Sequence, residues 1–214
     1  MSKRPVVLVV MDGVGISDSE FGNAVKKAYK PTLDNLWENS PHTEIKAHGL
    51  AVGLPTDDDM GNSEVGHNAL GCGQIYSQGA KLVNENIETG EIFKTETWSG
   101  LVNNCKDGKM HFLGLLSDGN VHSHINHLKA LIKKSKEDGV KEVRVHALLD
   151  GRDVPETSAL TYVDDIEAYM AELNDDSFHA CIASGGGRMT ITMDRYEANW
   201  AMVEQGWHVH VLGE

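Results

Sequence analysis

From His111 onward, apolar runs and amphipathic stretches follow one another in turn, a regularity that the first hundred residues lack. The runs at 111–116, 143–149 and 178–183 are short and rich in aliphatic residues, the pattern of buried strands. Between them, 123–137 sets Ile125, Leu128, Leu131 and Ile132 on one helical face, and 158–173 does the same with Leu160, Val163, Ile166, Met170 and Leu173. A helix at about 194–205 and a strand at 207–212 continue the series. Uninterrupted alternation of this kind predicts an α/β fold with a parallel sheet, because each crossover between parallel strands needs a connection as long as a helix.

The earlier part is sparser. An apolar strand is expected at 5–10, then a loop rich in Gly and Asp, a short helix near 32–39 after Lys30-Pro31, and an extended piece near 45–50. Helices are expected around 80–88 and 95–104, separated by Thr89-Gly90. Too few strands precede residue 78 for that stretch to build an α/β core by itself.

Composition narrows the function classes. A chain of 214 residues with 40% hydrophobic content can bury at least one sizeable core. The apolar run near the amino terminus is too short to span a bilayer and lacks the features of a signal peptide, so a cytoplasmic location is expected. Cys72, Cys105 and Cys181 are odd in number and share no CxxC spacing, which argues for reduced thiols over disulfides or a structural zinc. The net charge of −13 disfavours nucleic acid and anionic membranes as partners. A small anionic substrate remains compatible with it, since arginines in a pocket override the average field.

The arginines sit in suggestive places. Ligands of open α/β sheets bind beyond the carboxyl ends of the strands. Here those ends lead into Ser117-Asp-Gly-Asn-Val-His122, Asp150-Gly-Arg152-Asp153 and Ser184-Gly-Gly-Gly-Arg188. Singly, each has a structural reading: His122 caps a helix, Arg152 pairs with Asp153, the glycines turn the chain. Together they aim a histidine, two arginines and an aspartate at one rim, and a guanidinium fork binds carboxylate or phosphate oxygens in pairs. The group His122, His124 and His127, the last two three apart on the following helix, invites a zinc reading, but no cysteine or carboxylate is spaced to complete such a site.

Upstream, Gly61-Asn-Ser63-Glu-Val-Gly-His67 places a serine at the start of a helix, among free backbone N–H groups that attract a phosphate. Asp12, just past the 5–10 strand, offers a hard oxygen to a divalent cation, which could convert a hydroxyl into a usable nucleophile. The structural readings are a Ser63 helix cap and an Asp12-Gly13 turn.

Val9-Val-Met-Asp12-Gly-Val-Gly, Gly53-Leu-Pro-Thr-Asp-Asp-Asp-Met60, the Ser63 segment, the three rim motifs and Met193-Asp-Arg195 occur in an order that resembles cofactor-independent phosphoglycerate mutase, of the alkaline phosphatase superfamily. The stretch from Arg188 to Arg195 resembles the plant and trypanosomatid branch. The resemblance implies a phosphotransferase domain inserted into an alkaline-phosphatase-like α/β domain, both incomplete here: 1–77 would belong to the metal-binding phosphatase-like domain, and 78–214 to the substrate-binding domain. It implies interconversion of 3-phosphoglycerate and 2-phosphoglycerate through a phosphoserine at Ser63. Two divalent ions, manganese foremost with magnesium or cobalt as alternatives, would take Asp12 and Ser63 among their ligands, and 2,3-bisphosphoglycerate would not be needed. His122, Arg152, Asp153, Arg188 and Arg195 would hold the substrate, and Asp153 would move protons on its hydroxyls. The complete enzyme would be a monomer with a small-molecule substrate and neither nucleic acid nor membrane as partner. The family's remaining metal ligands lie beyond the point where this sequence stops, so the chain is expected to be a fragment, inactive alone. The rival readings are another phosphomutase or hydrolase of that superfamily, and a noncatalytic anion-binding fragment.

Overall fold

The computed structural model describes residues 4–11, 13–194 and 197–214, which fall into two compact units divided between Lys46 and Ala47. This division lies earlier than the 77/78 boundary drawn from the sequence. Residues 47–77 pack with the second unit because Gln78, 4% exposed, donates its amide N–H to the carbonyls of Val52 and Val65 at 3.1 and 3.3 Å. Those two residues and Leu54 form a small apolar cluster of their own.

The first unit carries helices α1 (Ala24–Lys27) and α2 (Pro31–Asn39), the second of which begins with proline at a position that needs no N–H donor. The strand expected at 5–10 is not formed. Val6 is 95% and Val9 73% exposed, and among the described residues no strand offers these residues a ladder partner. An apolar run becomes a strand only where its backbone groups are paired.

The second unit opens with a 3₁₀ turn, Gly49–Val52, which takes over the end of the piece near 45–50 expected to be extended, followed by α3 (Ser63–Cys72), α4 (Gly79–Glu88) and α5 (Glu96–Asn104). The sheet then runs β1 (Met110–Leu116), α6 (Ile125–Glu137), β2 (Glu142–Leu149), α7 (Ala159–Leu173) and β3 (His179–Gly187). The strands are parallel in the order β1-β2-β3, with Met110 opposite Val143 and Val143 opposite Ala180. Val143, Val145, Ile132, Ile166 and Phe178 fill the core between sheet and helices, each burial contributing about 1.5–3 kcal/mol. Leu160, placed by its spacing on the same helical face, is 72% exposed at the first turn of α7.

β3 runs through the glycines expected to turn the chain. A register shift between Val145 and His146 sets Ser184 opposite His146 and Gly187 opposite Leu149. A Cβ on Gly185 would stand 2.9 Å from the carbonyl of Ala147, so close strand approach, rather than a turn, accounts for that glycine. The short helix α8 (Arg188–Ile191) comes at once after it, then α9 (Trp200–Trp207). The strand expected at 207–212 is instead a π-helical turn, His208–Leu212. Its alternation of His and Val mimics a strand, but no strand among the described residues pairs with it, and its backbone bonds close locally, as between Glu214 N–H and the His208 carbonyl at 3.1 Å.

Candidate functional site

The three parallel strands end side by side, and the side chains just beyond them meet. Asp150, 6% exposed after β2, is their hub. One carboxylate oxygen accepts from Ser117 Oγ at 2.6 Å; the other accepts from the backbone N–H groups of Asp153 and Arg152 at 2.9 and 3.1 Å and lies 3.4 Å from the Arg188 guanidinium. Burial alone would raise the Asp150 carboxyl. The hydrogen bonds from Ser117, Asp153 and Arg152, together with the Arg188 charge, outweigh it and hold the group below the ordinary carboxylate range.

Arg188 is completely buried. Its Nη1 donates to Asp153 Oδ2 at 2.9 Å, while Nε and Nη2 have no hydrogen-bond partner among the described residues. A buried guanidinium with two open donors is costly unless something accepts from them. A planar oxyanion beside the fork would do so. Its charge is already matched by Asp150 and Asp153, so the positive charge facing an incoming anion falls to Arg152, which is exposed and makes no side-chain hydrogen bond or ion pair among the described residues. The expected Arg152–Asp153 pair is absent from that set, and Asp153 pairs with Arg188 instead. His122 Nε2 stands 3.9 Å from the same Asp153 Oδ2. Gly119 permits this closeness, since a Cβ there would be 3.0 Å from Asp153 Cβ.

Ser63 is the first residue of α3. The cap is Asn62, whose side-chain oxygen accepts from Val65 N–H at 3.0 Å, so Ser63 is free of the capping role considered from the sequence. Its hydroxyl is 3.1 Å from His67 Nδ1, which also lies 2.7 Å from the Ser63 carbonyl. A carbonyl only accepts, so Nδ1 carries the proton there and does not serve as a base for the hydroxyl. No hydrogen bond or ion pair joins Ser63 to the rim among the described residues.

Asp12 and Arg195, expected as a metal ligand and a substrate ligand, lie outside the described residues. Among the described ones no group of three or more His, Cys, Asp or Glu side chains is arranged to hold a metal ion. The described residues therefore do not by themselves fit the two-ion centre that the resemblance implies. His124 caps α6, its Nδ1 accepting from Asn126 N–H at 3.1 Å, and so it, not His122, is the helix cap. His127 is half-buried against α4, and burial together with His124 pushes its imidazole below the ordinary histidine value.

Ser117 and Asp150 were not singled out by sequence, although both stand directly after a strand. The Asp59 contact with Asn120, through the Asn120 side-chain amide, has no sequence signal at all.

Residues 83–214 match the family model described as "BPG-independent PGAM N-terminus". A probable 2,3-bisphosphoglycerate-independent phosphoglycerate mutase of Leptospira interrogans is 55% identical over 99% of this chain and 39% of its own length. The corresponding mutase of Trypanosoma brucei brucei is 50% identical over 100% of this chain and 39% of its own length. Among solved structures, a phosphoglycerate mutase of Leishmania mexicana at low cobalt concentration superimposes with a TM-score of 0.83 at 48% identity, covering 96% of this chain and 38% of that one. The chain thus spans about 39% of the length of the curated relatives it matches.

Proposed function

Because this chain belongs to the BPG-independent phosphoglycerate mutase family, we propose that the protein carrying it interconverts 3-phosphoglycerate and 2-phosphoglycerate without 2,3-bisphosphoglycerate. The observation that carries this reading is the buried Arg188, paired through Nη1 with Asp153 while its Nε and Nη2 donors have no partner among the described residues. That arrangement suits the carboxylate of a small phosphorylated acid; Arg195, outside the described residues, is a further substrate ligand in this reading.

Ser63 is the nucleophile. Its oxygen forms a bond to phosphorus as the bond from phosphorus to the 3-oxygen of glycerate breaks. In this reading the proton lost by Ser63 ends on the 3-oxygen, and the proton lost by the 2-hydroxyl, which attacks phosphorus while the Ser63 bond breaks, returns to Ser63, with the Asp153 carboxylate taking up and passing on each proton. Asp150 keeps Asp153 and Arg188 in place, and His122 and Arg152 hold the glycerate between the two transfers, when its escape would leave a phosphoenzyme open to water. Asp12 and Ser63 would be among the ligands of a divalent cation, manganese in this reading, which would supply activation of the serine hydroxyl. We assign 1–77 to the phosphatase-like domain and 78–214 to the substrate-binding domain of a monomeric cytoplasmic enzyme, and activity to the full-length protein alone. No described helix is long and apolar enough to cross a membrane.

The test is a coupled assay of the full-length protein with manganese and no 2,3-bisphosphoglycerate. Interconversion supports the reading. Release of inorganic phosphate in its place points to a hydrolase, and binding of 3-phosphoglycerate without turnover points to an anion-binding module.

A further inference from the structure

Two segments that the proposed chemistry must bring together are joined, among the described residues, by one hydrogen bond. Asn120 Nδ2, two residues before His122, donates to Asp59 Oδ1, four residues before Ser63. The other oxygen of Asp59 is occupied within its own loop, accepting from Thr56 N–H at 2.7 Å and Thr56 Oγ1 at 2.8 Å. Asp59 is therefore oriented by one edge and presents the other to the substrate loop.

Asn120 makes this contact from an uncomfortable position. It is one of two described non-glycine residues with positive φ, at +58°, and its side-chain carbonyl oxygen is buried without a partner. Asparagine tolerates the left-handed region better than other non-glycine residues, but the buried carbonyl without a partner costs free energy, and a half-satisfied side chain held against a carboxylate points to a position kept for something other than stability. Neither segment needs the contact to hold its shape. The loop before Ser63 is pinned by Gly49 N–H to the Asp59 carbonyl at 3.2 Å and by Leu50 N–H to Asp57 at 3.2 Å. The substrate loop is closed on itself by Ile125 N–H to the Ser117 carbonyl at 2.8 Å and tied to β1 by Ser123 Oγ to the Leu115 carbonyl at 2.6 Å. Beside the contact lies a polar cleft of about 300 Å³, bordered by Thr56, Asp59, Asp118, Asn120 and His124, wide enough to admit water.

We propose that Asp59 and Asn120 form a latch that registers the nucleophile-bearing segment against the substrate loop, acting as positioning residues in phosphoryl transfer; this rests on the Ser63 and rim assignments above. Closed, the latch keeps the phosphoserine in line with the glycerate hydroxyls. Open, it leaves the phosphoserine to water, which forms a bond to phosphorus, breaks the bond to Ser63 Oγ, and gives inorganic phosphate and free serine.

The test uses the full-length protein with Asp59→Ala, Asn120→Gly and the double variant. Asn120→Gly removes the amide and relieves the positive φ, so its fold is preserved. Measured with 3-phosphoglycerate, each single variant loses about tenfold in kcat with KM within about twofold, and the ratio of inorganic phosphate to 2-phosphoglycerate rises about tenfold. The double variant loses no more than either single one, as two halves of one contact require. A kcat and phosphate ratio unchanged in both single variants, or a double loss equal to the product of the single losses, overturns the latch while leaving the mutase reading intact. Absence of interconversion in the unsubstituted protein overturns that reading and the latch with it.

Discussion

Replacing Asp150 by Asn isolates what its charge does, because the amide keeps the shape and most of the hydrogen bonds. The amide oxygen still accepts from Asp153 and Arg152 N–H, and the Ser117 hydroxyl turns to accept from the new NH₂. What is lost is the negative charge 3.4 Å from Arg188, a gross attraction of about 5 kcal/mol at an effective dielectric of 20. Relief of the carboxylate's own burial offsets part of this, and Arg188 retains Asp153 at 2.9 Å. Breaking a buried pair costs about 3–5 kcal/mol, so with one partner left the lower end applies, about 3 kcal/mol. With a urea dependence of about 2 kcal/mol per molar, the transition midpoint falls by about 1.5 M. The assay is hydrogen exchange of the β2 amides across a urea series, so that the transition observed belongs to this sheet. The pH dependence supplies a second reading. The folded Asp150 carboxyl titrates below its unfolded value of about 3.9, so its contribution is full above that value and is lost as pH falls through the folded pKa. The Asn variant lacks this acid-dependent step. A midpoint within about 0.3 M of the unsubstituted protein, with the same acid profile, would refute the role of Asp150 as the charge that holds Arg188.

Arg152→Ala, at an exposed side chain with no described partner, should leave stability within about 0.5 kcal/mol and raise KM for 3-phosphoglycerate by tenfold or more, read from steady-state kinetics beside a melting curve. Asn62→Ala removes the cap of the helix that starts at Ser63 and should cost about 1 kcal/mol, with exchange protection lost first at Val65 N–H. Gly53→Ala places a methyl 1.9 Å from the Tyr76 carbonyl at φ +86°; expression and a loss of about 3 kcal/mol or more in stability are the readouts, and a silent substitution would contradict the packing of 47–77 against Gln78. Chelation should abolish interconversion by the full-length protein, and manganese should restore it; activity that survives exhaustive chelation would remove the metal from the account.

The sheet and its helices were legible because the residues that carry the periodicity are the ones the core uses. Ile125, Ile132, Ile166 and Met170 recur at helical spacing and are all buried. Pattern reports which face seeks burial, but not whether a ladder partner exists. This is why 5–10 and 207–212, both read as strands, are an exposed segment without regular structure and a π-helical turn. Gly185 to Gly187 misled in the opposite direction, since a glycine run reads as a turn until the neighbouring strand is seen pressing on it. The rim residues were singled out by their position after strands. Asp150 was overlooked as an anchor because Asp-Gly reads as a turn, and its burial and four contacts exist only in the folded chain. The Asp59–Asn120 contact spans a sequence separation of 61 and belongs to no local pattern.

The most direct test of the central claim is to trap the phosphoenzyme. The full-length protein, incubated with metal and phosphoryl-labelled 3-phosphoglycerate and quenched in acid, should yield a labelled peptide with phosphate on Ser63, chased by excess unlabelled substrate into 2-phosphoglycerate and absent from Ser63→Ala. Interconversion that proceeds with no label on Ser63, or that survives Ser63→Ala, would contradict it.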